Sequence, residues 1–300
     1  MPLVSVILPL YNAENWIGEA VKSIICQTFE DFELIIINDG STDGSLAAVE
    51  KIKDKRMVIV DQENCGLAAA LNVGLKISKG QLVARMDADD TALPDRLLLQ
   101  VNSFKQNEDL VLLGTGVNYV DESGKYICRS YPLMGDGPIK KFLLKKGNVM
   151  AHPTVMFRRN AVLEVGGYSE IIGQYFEDHY LWCSIMGKGK FENIAKPLLN
   201  YRMTESSISS MSGDIDDFNK KILKYIEVTA TRGVAELGFL RERRERARTL
   251  SKQERAQMLH ERVVMLKKSE DKHRKILRCL FCLNEEIALR LLSATRAVLA

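Results

Sequence analysis

The amino-acid sequence predicts an α/β protein with a mostly parallel central sheet. Strand and helix patterns alternate over residues 3–87, which is typical of parallel strands joined by crossover helices. One predicted strand, FELIIIND at 32–39, is apolar on both faces, as expected when helices cover both sides of a parallel strand. Polar turn residues follow each predicted strand, and ligands bind at that edge of such sheets.

The elements follow one another in regular order. LVSVILPL forms the first strand, NWIGEAVKSIICQ an amphipathic helix, and FELIIIND the second strand. In the turn DGSTDGS, Ser41, Thr42 or Asp43 can cap the next helix, LAAVEKIK. MVIVDQ is the third strand, LAAALNVGLKIS the third helix and QLVARMD the fourth strand. Right-handed crossovers then bring the ends of all four strands to one rim.

The composition indicates a soluble globular protein, with 46% hydrophobic and 27% charged residues among 300. The first residues carry no basic segment, and no apolar run reaches the roughly 18 residues of a membrane span. Six scattered cysteines favour reduced thiols. We therefore expect a cytoplasmic protein.

Charge and proline content divide the chain into two parts. Residues 1–213 hold 22 basic and 26 acidic residues, whereas residues 214–300 hold 20 basic and 13 acidic ones, and all seven prolines lie at or before Pro197. The sequence therefore predicts an acidic α/β domain over 1–213 and a basic α-helical extension over 214–300. Two roles stay open for the extension. They are peripheral contact with the inner face of the plasma membrane, and packing or homo-oligomer formation. We expect no nucleic-acid partner, because the extension lacks a recognised motif or interleaved aromatic residues.

Four strand ends carry polar side chains, in the segments PLYN, INDGSTD, DQENCG and RMDADD. The last of these crowds Asp87, Asp89 and Asp90 together. A solvated acidic turn would need no partners on the neighbouring strands, whereas a nucleotide site would use them. Oxygen ligands from an Asp-x-Asp turn suit a hard divalent cation such as Mn²⁺ or Mg²⁺, with phosphate oxygens and water completing the site.

Several ordered motifs resemble the nucleotide-sugar domain of family 2 glycosyltransferases. They are VSVILPLYNAENWIGEAVKSIICQTFEDFELIIINDGSTDGS, NCGLAAALNVGLKISKGQLVARMDADD, AHPTVMFRRNAVLEVGGY, FEDHYLW and PLLNYR. Together they span roughly residues 3–205. The resemblance is to bacterial enzymes that assemble surface polysaccharides such as O-antigen (lipopolysaccharide), capsule or exopolysaccharide.

The resemblance implies an inverting, metal-dependent transferase with a GT-A-type fold and a UDP-sugar donor of hexosyl or N-acetylhexosaminyl type. Pro9 and Tyr11 would shape the base pocket, where the tyrosine ring offers a stacking surface. Asp39 would accept the uracil ring N–H. Asn64 and Gly66 match the loop that lines the nucleotide.

The acidic turn would hold the diphosphate end of the donor. In the resemblance, Asp89 is the metal ligand and Asp87 lies near ribose and sugar. Arg85 would neutralise phosphate or orient the turn. Asp90 would contact sugar hydroxyls or support the site from behind.

The second half would supply the acceptor side for a saccharide or lipid-linked saccharide. His152 and Glu177 are expected near the donor or acceptor sugar, and Asp178 is expected to be the catalytic base. Many relatives carry a metal-binding histidine two residues after the arginine of the Tyr-Arg pair. Thr204 stands there in this chain. Either an additional water or another group would then complete the metal site.

Other interpretations stay open from the sequence alone. Tyr11 could be an ordinary strand-end aromatic, Asp39 a cap of its own turn, Arg85 a surface ion pair and His152 a structural histidine. At the level of the protein, a sugar nucleotidyltransferase or a non-catalytic nucleotide-sugar-binding protein would share the acidic α/β site. A nucleotidyltransferase normally shows a Gly-rich basic loop after the first strand, and PLYNAEN has none.

Overall fold

The structure is a computed structural model that describes residues 1–145, 147–170 and 176–204. In this part of the chain the strands form one nine-stranded sheet.

The first half of the sheet is parallel throughout. Its strands are β1 (Val4–Leu10), β2 (Phe32–Asp39), β3 (Met57–Gln62) and β4 (Leu82–Arg85). The crossovers contain α1 (Ile17–Ile25), α2 (Ser45–Glu50) and α3 (Leu67–Ile77). Strand β1 pairs in parallel with β2 and β4, and β2 pairs in parallel with β3. The predicted strands and helices of this half are therefore confirmed, and their carboxyl ends share one rim.

The second half makes the whole sheet mixed. It contains β5 (Thr91–Ala92), α4 (Arg96–Gln106), β6 (Leu110–Val120), β7 (Tyr126–Arg129), α5 (Asp136–Lys145), β8 (Met156–Arg158), α6 (Arg159–Leu163), α7 (Glu177–Ile185) and β9 (Lys190–Arg202). Strand β8 lies antiparallel between β4 and β6, whereas β6 and β9 pair in parallel. Short β5 runs antiparallel to β9, so the segment after the acidic turn is tied to the last strand.

Apolar side chains cover both faces of the sheet, as the pattern of β2 predicts. Val6 and Leu8 of β1 join a buried cluster with α1 and α4, while the intervening Ile7 packs with α3 on the opposite face. All eight residues of β2 are buried. This two-sided packing holds the strand ends rigidly, so the rim presents its turns at fixed positions.

One predicted cap needs correction. Helix α2 begins after Gly44, whose position has no side-chain cap, and Asp43 accepts the Ser45 N–H from one residue earlier at 3.0 Å. The predicted domain boundary at 213/214 and the helical extension 214–300 lie outside the described residues and stay predictions. Within the described residues, no helix is both long and apolar enough to cross a membrane.

Candidate active site

The loop between β3 and α3 is organised by Asp39 at the end of β2. One carboxylate oxygen of Asp39 accepts hydrogen bonds from Gln62 Nε2 at 2.8 Å and from the Cys65 N–H at 2.9 Å. The other oxygen accepts the Gly66 N–H at 2.8 Å. Asp39 therefore holds the neighbouring loop and not its own DGSTDG turn. About one of the four acceptor positions of a carboxylate stays available to a ligand.

Asn64 and Gly66 lie on this loop, next to Asp39. Asn64 Nδ2 donates to the Asp39 carbonyl at 2.9 Å. Gly66 has a φ of +93° immediately before α3, a conformation that suits glycine. Gly40 approaches the same loop closely, because a Cβ built on it would lie 2.7 Å from the Asn64 nitrogen. The segment is thus a tight, backbone-rich surface at the rim.

Tyr11 and Pro9 differ in position. Tyr11 follows β1 and is 53% exposed, so its ring is available at the rim. Pro9 is buried within β1 opposite Ile37, two residues before Tyr11. That Pro9 and Tyr11 shape a base pocket stays a prediction. Asn12 connects the first two loops, since its Oδ1 accepts the Thr42 N–H at 2.8 Å.

The acidic turn follows β4 and gathers three carboxylates. Ligand oxygens of Asp87, Asp89 and Asp90 all lie within 4.8 Å of one another. Arg85 binds Asp87 through both terminal nitrogens, with contacts of 2.6 and 2.5 Å, and its side chain is only 3% exposed. The alternative of a surface ion pair is therefore wrong for Arg85. In this structure Arg85 orients the turn and does not present a free cation to phosphate.

Asp90 points inward. It is 1% exposed, and its Oδ1 accepts the backbone N–H of Arg202 at 2.9 Å. Its Oδ2 is buried and has no hydrogen-bond partner among the described residues. Direct contact with sugar hydroxyls is therefore not supported, and the second predicted role, supporting the site from behind, fits the geometry.

The electrostatics of the turn favour a bound cation. Burial and then repulsion from Asp87 raise the pKa of Asp89 to about 7. Burial and then Asp89 raise the pKa of Asp90 well above its usual range. Hard oxygen donors crowded in this way suit Mn²⁺ or Mg²⁺, since a divalent cation would offset their repulsion. The residues present therefore fit the predicted metal site.

Two arginines that the sequence analysis did not select brace this turn. Arg202 Nε donates to the Asp89 carbonyl at 2.8 Å, and its Nη1 donates to the Glu122 carbonyl at 2.8 Å. Arg96 Nη2 donates to the Arg85 carbonyl at 2.6 Å, and burial lowers the pKa of Arg96 to about 9. A signal for Arg96 exists in the sequence, because it shares the buried face of α4 with apolar residues.

Replacing Arg202 with lysine is expected to lower the free energy of unfolding by about 1–3 kcal/mol. A lysine keeps the charge, but its single ammonium cannot occupy the positions of both Nε and Nη1, so one of the two partly buried carbonyls loses its donor. Urea denaturation measures the change. Arg129→Lys, at an exposed position of β7, is the matched control. Equal unfolding free energies in the two variants would contradict the bracing role.

His152 is buried and contacts the side chains of Tyr168 and Glu177. Its Nε2 is 3.0 Å from the Tyr168 hydroxyl, and its Nδ1 is 3.3 Å from Glu177 Oε1. Burial and then Arg85 lower the pKa of His152 well below its usual range. Burial and then Asp178 raise the pKa of Glu177 to about 8. At neutral pH this is therefore a hydrogen-bonded neutral pair, which supports the structural interpretation of His152.

Asp178 is the second residue of α7 and is more accessible than Glu177, the first. One of its oxygens accepts from Asn148 Nδ2 at 2.5 Å, and the other accepts the His179 N–H at 2.6 Å. Burial raises the pKa of Asp178 to about 6, although the His179 N–H, Arg85 and Asn148 lower it. Asp178 is therefore mainly ionised at neutral pH, whereas Glu177 is mainly protonated.

Arg85 joins the two sides of the site. Burial lowers the pKa of Arg85, but its interactions with Asp87, Tyr168 and Glu177 raise it by more, so the pKa of Arg85 is raised overall. The acidic turn and the start of α7 thus share one electrostatic environment. Thr204, at the position of the family's histidine, is buried after β9. How the metal site is completed stays open between the two predicted solutions.

Comparison with known proteins places this site in a family. The family model for glycosyl transferase family 2 matches residues 5–166. The O-antigen biosynthesis glycosyltransferase WbnJ of Escherichia coli is 36% identical over 214 residues, covering 69% of this chain and 82% of that protein. The amylovoran biosynthesis glycosyltransferase AmsE of Erwinia amylovora is 33% identical over 217 residues, covering 70% and 80%.

A solved structure of similar fold is that of TarS 1–349 from S. aureus in complex with UDP-GlcNAc. It matches with a TM-score of 0.62 at 22% identity, and the match covers 84% of this chain and 74% of that one. This likeness supports the predicted α/β fold. Together with the family model and the relatives, it leads to one conclusion: the chain belongs to glycosyltransferase family 2.

Proposed function

We propose that this glycosyltransferase moves a sugar, with inversion, from a UDP-sugar to a saccharide or lipid-linked saccharide during surface-polysaccharide synthesis. The observation that carries the proposal is that a cluster of three carboxylates follows β4, and that Arg85, which binds one of them, also acts on the Asp178 carboxylate. The printed names of WbnJ and AmsE support the polysaccharide class. The UDP-GlcNAc complex of TarS supports a UDP-sugar donor of hexosyl or N-acetylhexosaminyl type.

The nucleotide would bind across the ends of β1, β2 and β3. Tyr11 offers an exposed ring for stacking on the base, and Asp39 keeps an acceptor position for the uracil N–H. Asn64 and Gly66 form the backbone surface on which the ribose or base rests. Because Asp39 already holds the Cys65 and Gly66 amides, base and loop would be ordered by the same carboxylate.

The diphosphate would lie at the acidic turn. Asp89 would hold a divalent cation, Mn²⁺ or Mg²⁺, with Asp87 beside it near the ribose and sugar. When bound, such a cation stabilises the negative charge that develops on the leaving UDP. Arg85 and Arg202 orient the turn, and Asp90 fixes it to β9.

On the acceptor side, Asp178 would remove the proton of the attacking hydroxyl. The oxygen attacks the anomeric carbon as the bond to UDP breaks, which inverts the configuration. A base must be deprotonated at the working pH, and this condition favours Asp178 over Glu177. His152 and Glu177, as a buried neutral pair, would then help to shape the site that holds the sugar.

A donor screen tests this function directly. We expect UDP release from one UDP-sugar to rise strongly when a suitable lipid-linked saccharide is added together with Mn²⁺ or Mg²⁺. Product analysis by NMR should give the inverted anomer. Nucleotide-sugar binding without transfer to any acceptor would favour the non-catalytic alternative. Release of pyrophosphate from UTP in a separate assay with a sugar 1-phosphate would favour a nucleotidyltransferase.

The extension 214–300 still has two proposed roles. One is peripheral membrane contact, and the other is packing on the catalytic domain or homo-oligomer formation. Its basic charge supports the first, since anionic lipids attract lysine and arginine. Flotation of the full-length chain with anionic vesicles distinguishes them. Co-flotation supports attachment to the inner face of the plasma membrane. A larger mass in sedimentation, without flotation, supports the oligomer.

A further inference from the structure

Asn148 lies between α5 and the 3₁₀ turn His152–Thr154, at an exposed position. Its Oδ1 accepts the N–H of buried Met150 at 2.9 Å. Because a backbone N–H can only donate, this bond determines which way the amide faces. The Asn148 NH₂ group therefore points to Asp178, and Nδ2 donates to Asp178 Oδ2 at 2.5 Å.

The second oxygen of Asp178 is held from its own helix. Oδ1 accepts the His179 N–H at 2.6 Å. The His179 ring is fully buried and its Nε2 bonds to the Leu143 carbonyl of α5 at 2.8 Å, so the start of α7 is attached to its neighbour. Each carboxylate oxygen thus has one donor from the protein and keeps one acceptor position for an incoming hydroxyl.

We infer that Asn148 is a positioning residue that orients the Asp178 carboxylate and keeps it in the form that accepts a proton. The inference rests on the proposed function, in which Asp178 is the base. Asn148 does not touch the reacting atoms in this role. It acts through its single hydrogen bond to Asp178, which stabilises the ionised carboxylate more than the protonated one.

The hydrogen bond from Asn148 affects the protonation of Asp178 because other nearby groups act on the same carboxyl. The charged and titratable groups that act on it are Arg85 from β4, Tyr168 after α6, and Glu177 and Cys183 on α7. Helix α5 faces the start of α7 with a carbonyl, that of Leu143. Burial opposes ionisation of Asp178, while the His179 N–H, Arg85 and Asn148 favour it. Loss of the Asn148 donor should therefore move proton uptake by Asp178 to higher pH.

Asn148→Asp replaces the donor that faces Asp178. An aspartate keeps the size of the side chain and still accepts the Met150 N–H, but a negatively charged oxygen stands where the NH₂ group was. Asn148→Ala is the second variant, because it removes the donor without adding charge. Asn160→Asp, the same chemical change at an exposed position of α6, is the matched control.

The kcat should be measured between pH 5 and 9 with saturating donor and acceptor. For Asn148→Asp we expect kcat at neutral pH to fall about 10–100-fold, the scale of one hydrogen bond to a charged group. The acidic limb of the pH profile should move up by about one unit or more, because each pH unit corresponds to a tenfold change in the proton equilibrium. Asn148→Ala should move it in the same direction by less. The KM for UDP-sugar should change less than twofold.

The inference would be overturned if the acidic limb of both Asn148 variants lay at the same pH as that of the Asn160→Asp control. This holds even if the maximal kcat of the Asn148 variants were lower. Asp178→Asn, assayed in parallel, separates this failure from failure of the proposed function. If Asp178→Asn is inactive while both Asn148 profiles are unchanged, only the positioning role is wrong. If Asp178→Asn transfers normally, the proposed base is wrong and the inference is overturned with it.

Discussion

Asp89→Ala is expected to abolish metal-dependent transfer while the protein stays folded. Asp89 belongs to the only group of three metal-ligating side chains within the described residues, and burial and repulsion from Asp87 raise its pKa to about 7. Removing one carboxylate leaves too few donors to hold the cation beside a diphosphate. Because Lewis-acid stabilisation of a leaving group contributes several kcal/mol, the rate should fall by at least about a thousandfold.

The fold should tolerate this change. Arg202 Nε binds the main-chain carbonyl of Asp89 and not its carboxylate, so the brace on the turn survives the substitution. Asp31→Ala, at an exposed position before β2 and away from the strand ends, is the matched control. Calorimetric titration of Mn²⁺ in the presence of UDP should show binding to the control and little to Asp89→Ala. Undiminished transfer at saturating Mn²⁺ or Mg²⁺ would refute the metal-binding role.

The rim of the first four strands could be predicted from sequence because its causes are local. Apolar runs define the strands, and turn residues fix where each strand ends, so Tyr11, Asp39, Asn64 and the acidic turn had to meet at one edge. The inward direction of Asp90 could not be read this way. Its carboxylate is fixed by Arg202, 112 residues further along the chain, through a contact that exists only once β9 pairs beside β5.

The acceptor side shows a similar division. The sequence predicts a helix after Glu177 and Asp178. Its predicted core-facing residues Leu181, Trp182 and Ile185 are buried, but α7 already begins at Glu177. What surrounds the first turn of this helix could not be predicted. His152 pairs with Tyr168, and Asn148 reaches Asp178, because separate loops are packed together by the tertiary fold. Periodicity reports which face of an element is buried, but it does not report which polar groups share that buried space.

Asp178→Asn is expected to reduce transfer by roughly 10²–10⁴-fold, the usual contribution of a general base. The substitution keeps the size of the side chain and removes its basicity. Binding of UDP-sugar and metal should change little, because neither needs this proton acceptor. Asp109→Asn, at an exposed position that pairs with Lys190, is the matched control.

In the unaltered enzyme, the dependence of the transfer rate on pH should reflect the ionisation of Asp178. Burial raises the pKa of Asp178 to about 6, so the base is ionised above that pH and protonated below it. Transfer should therefore be lost as the pH falls through about 6. Folding favours the protonated form of a carboxyl whose pKa is raised, so ionisation at neutral pH opposes stability. The neutral asparagine avoids this cost, but its single amide oxygen can accept from only one of the two donors, Asn148 Nδ2 and the His179 N–H. Because these two effects oppose each other, the melting temperature of Asp178→Asn should stay close to that of the unaltered protein.

Paired substitutions identify the base by elimination. Glu177 shares the first turn of α7 with Asp178, but burial and Asp178 raise its pKa to about 8, so it holds its proton at neutral pH. Glu177→Gln keeps the hydrogen-bonding capacity of that protonated side chain toward His152, and we expect it to retain more activity than Asp178→Asn. Near-normal transfer by Asp178→Asn together with an inactive Glu177→Gln would assign the base to Glu177. If both variants transferred normally, proton removal by the first turn of α7 would be wrong, and the acceptor hydroxyl would have to lose its proton to another group.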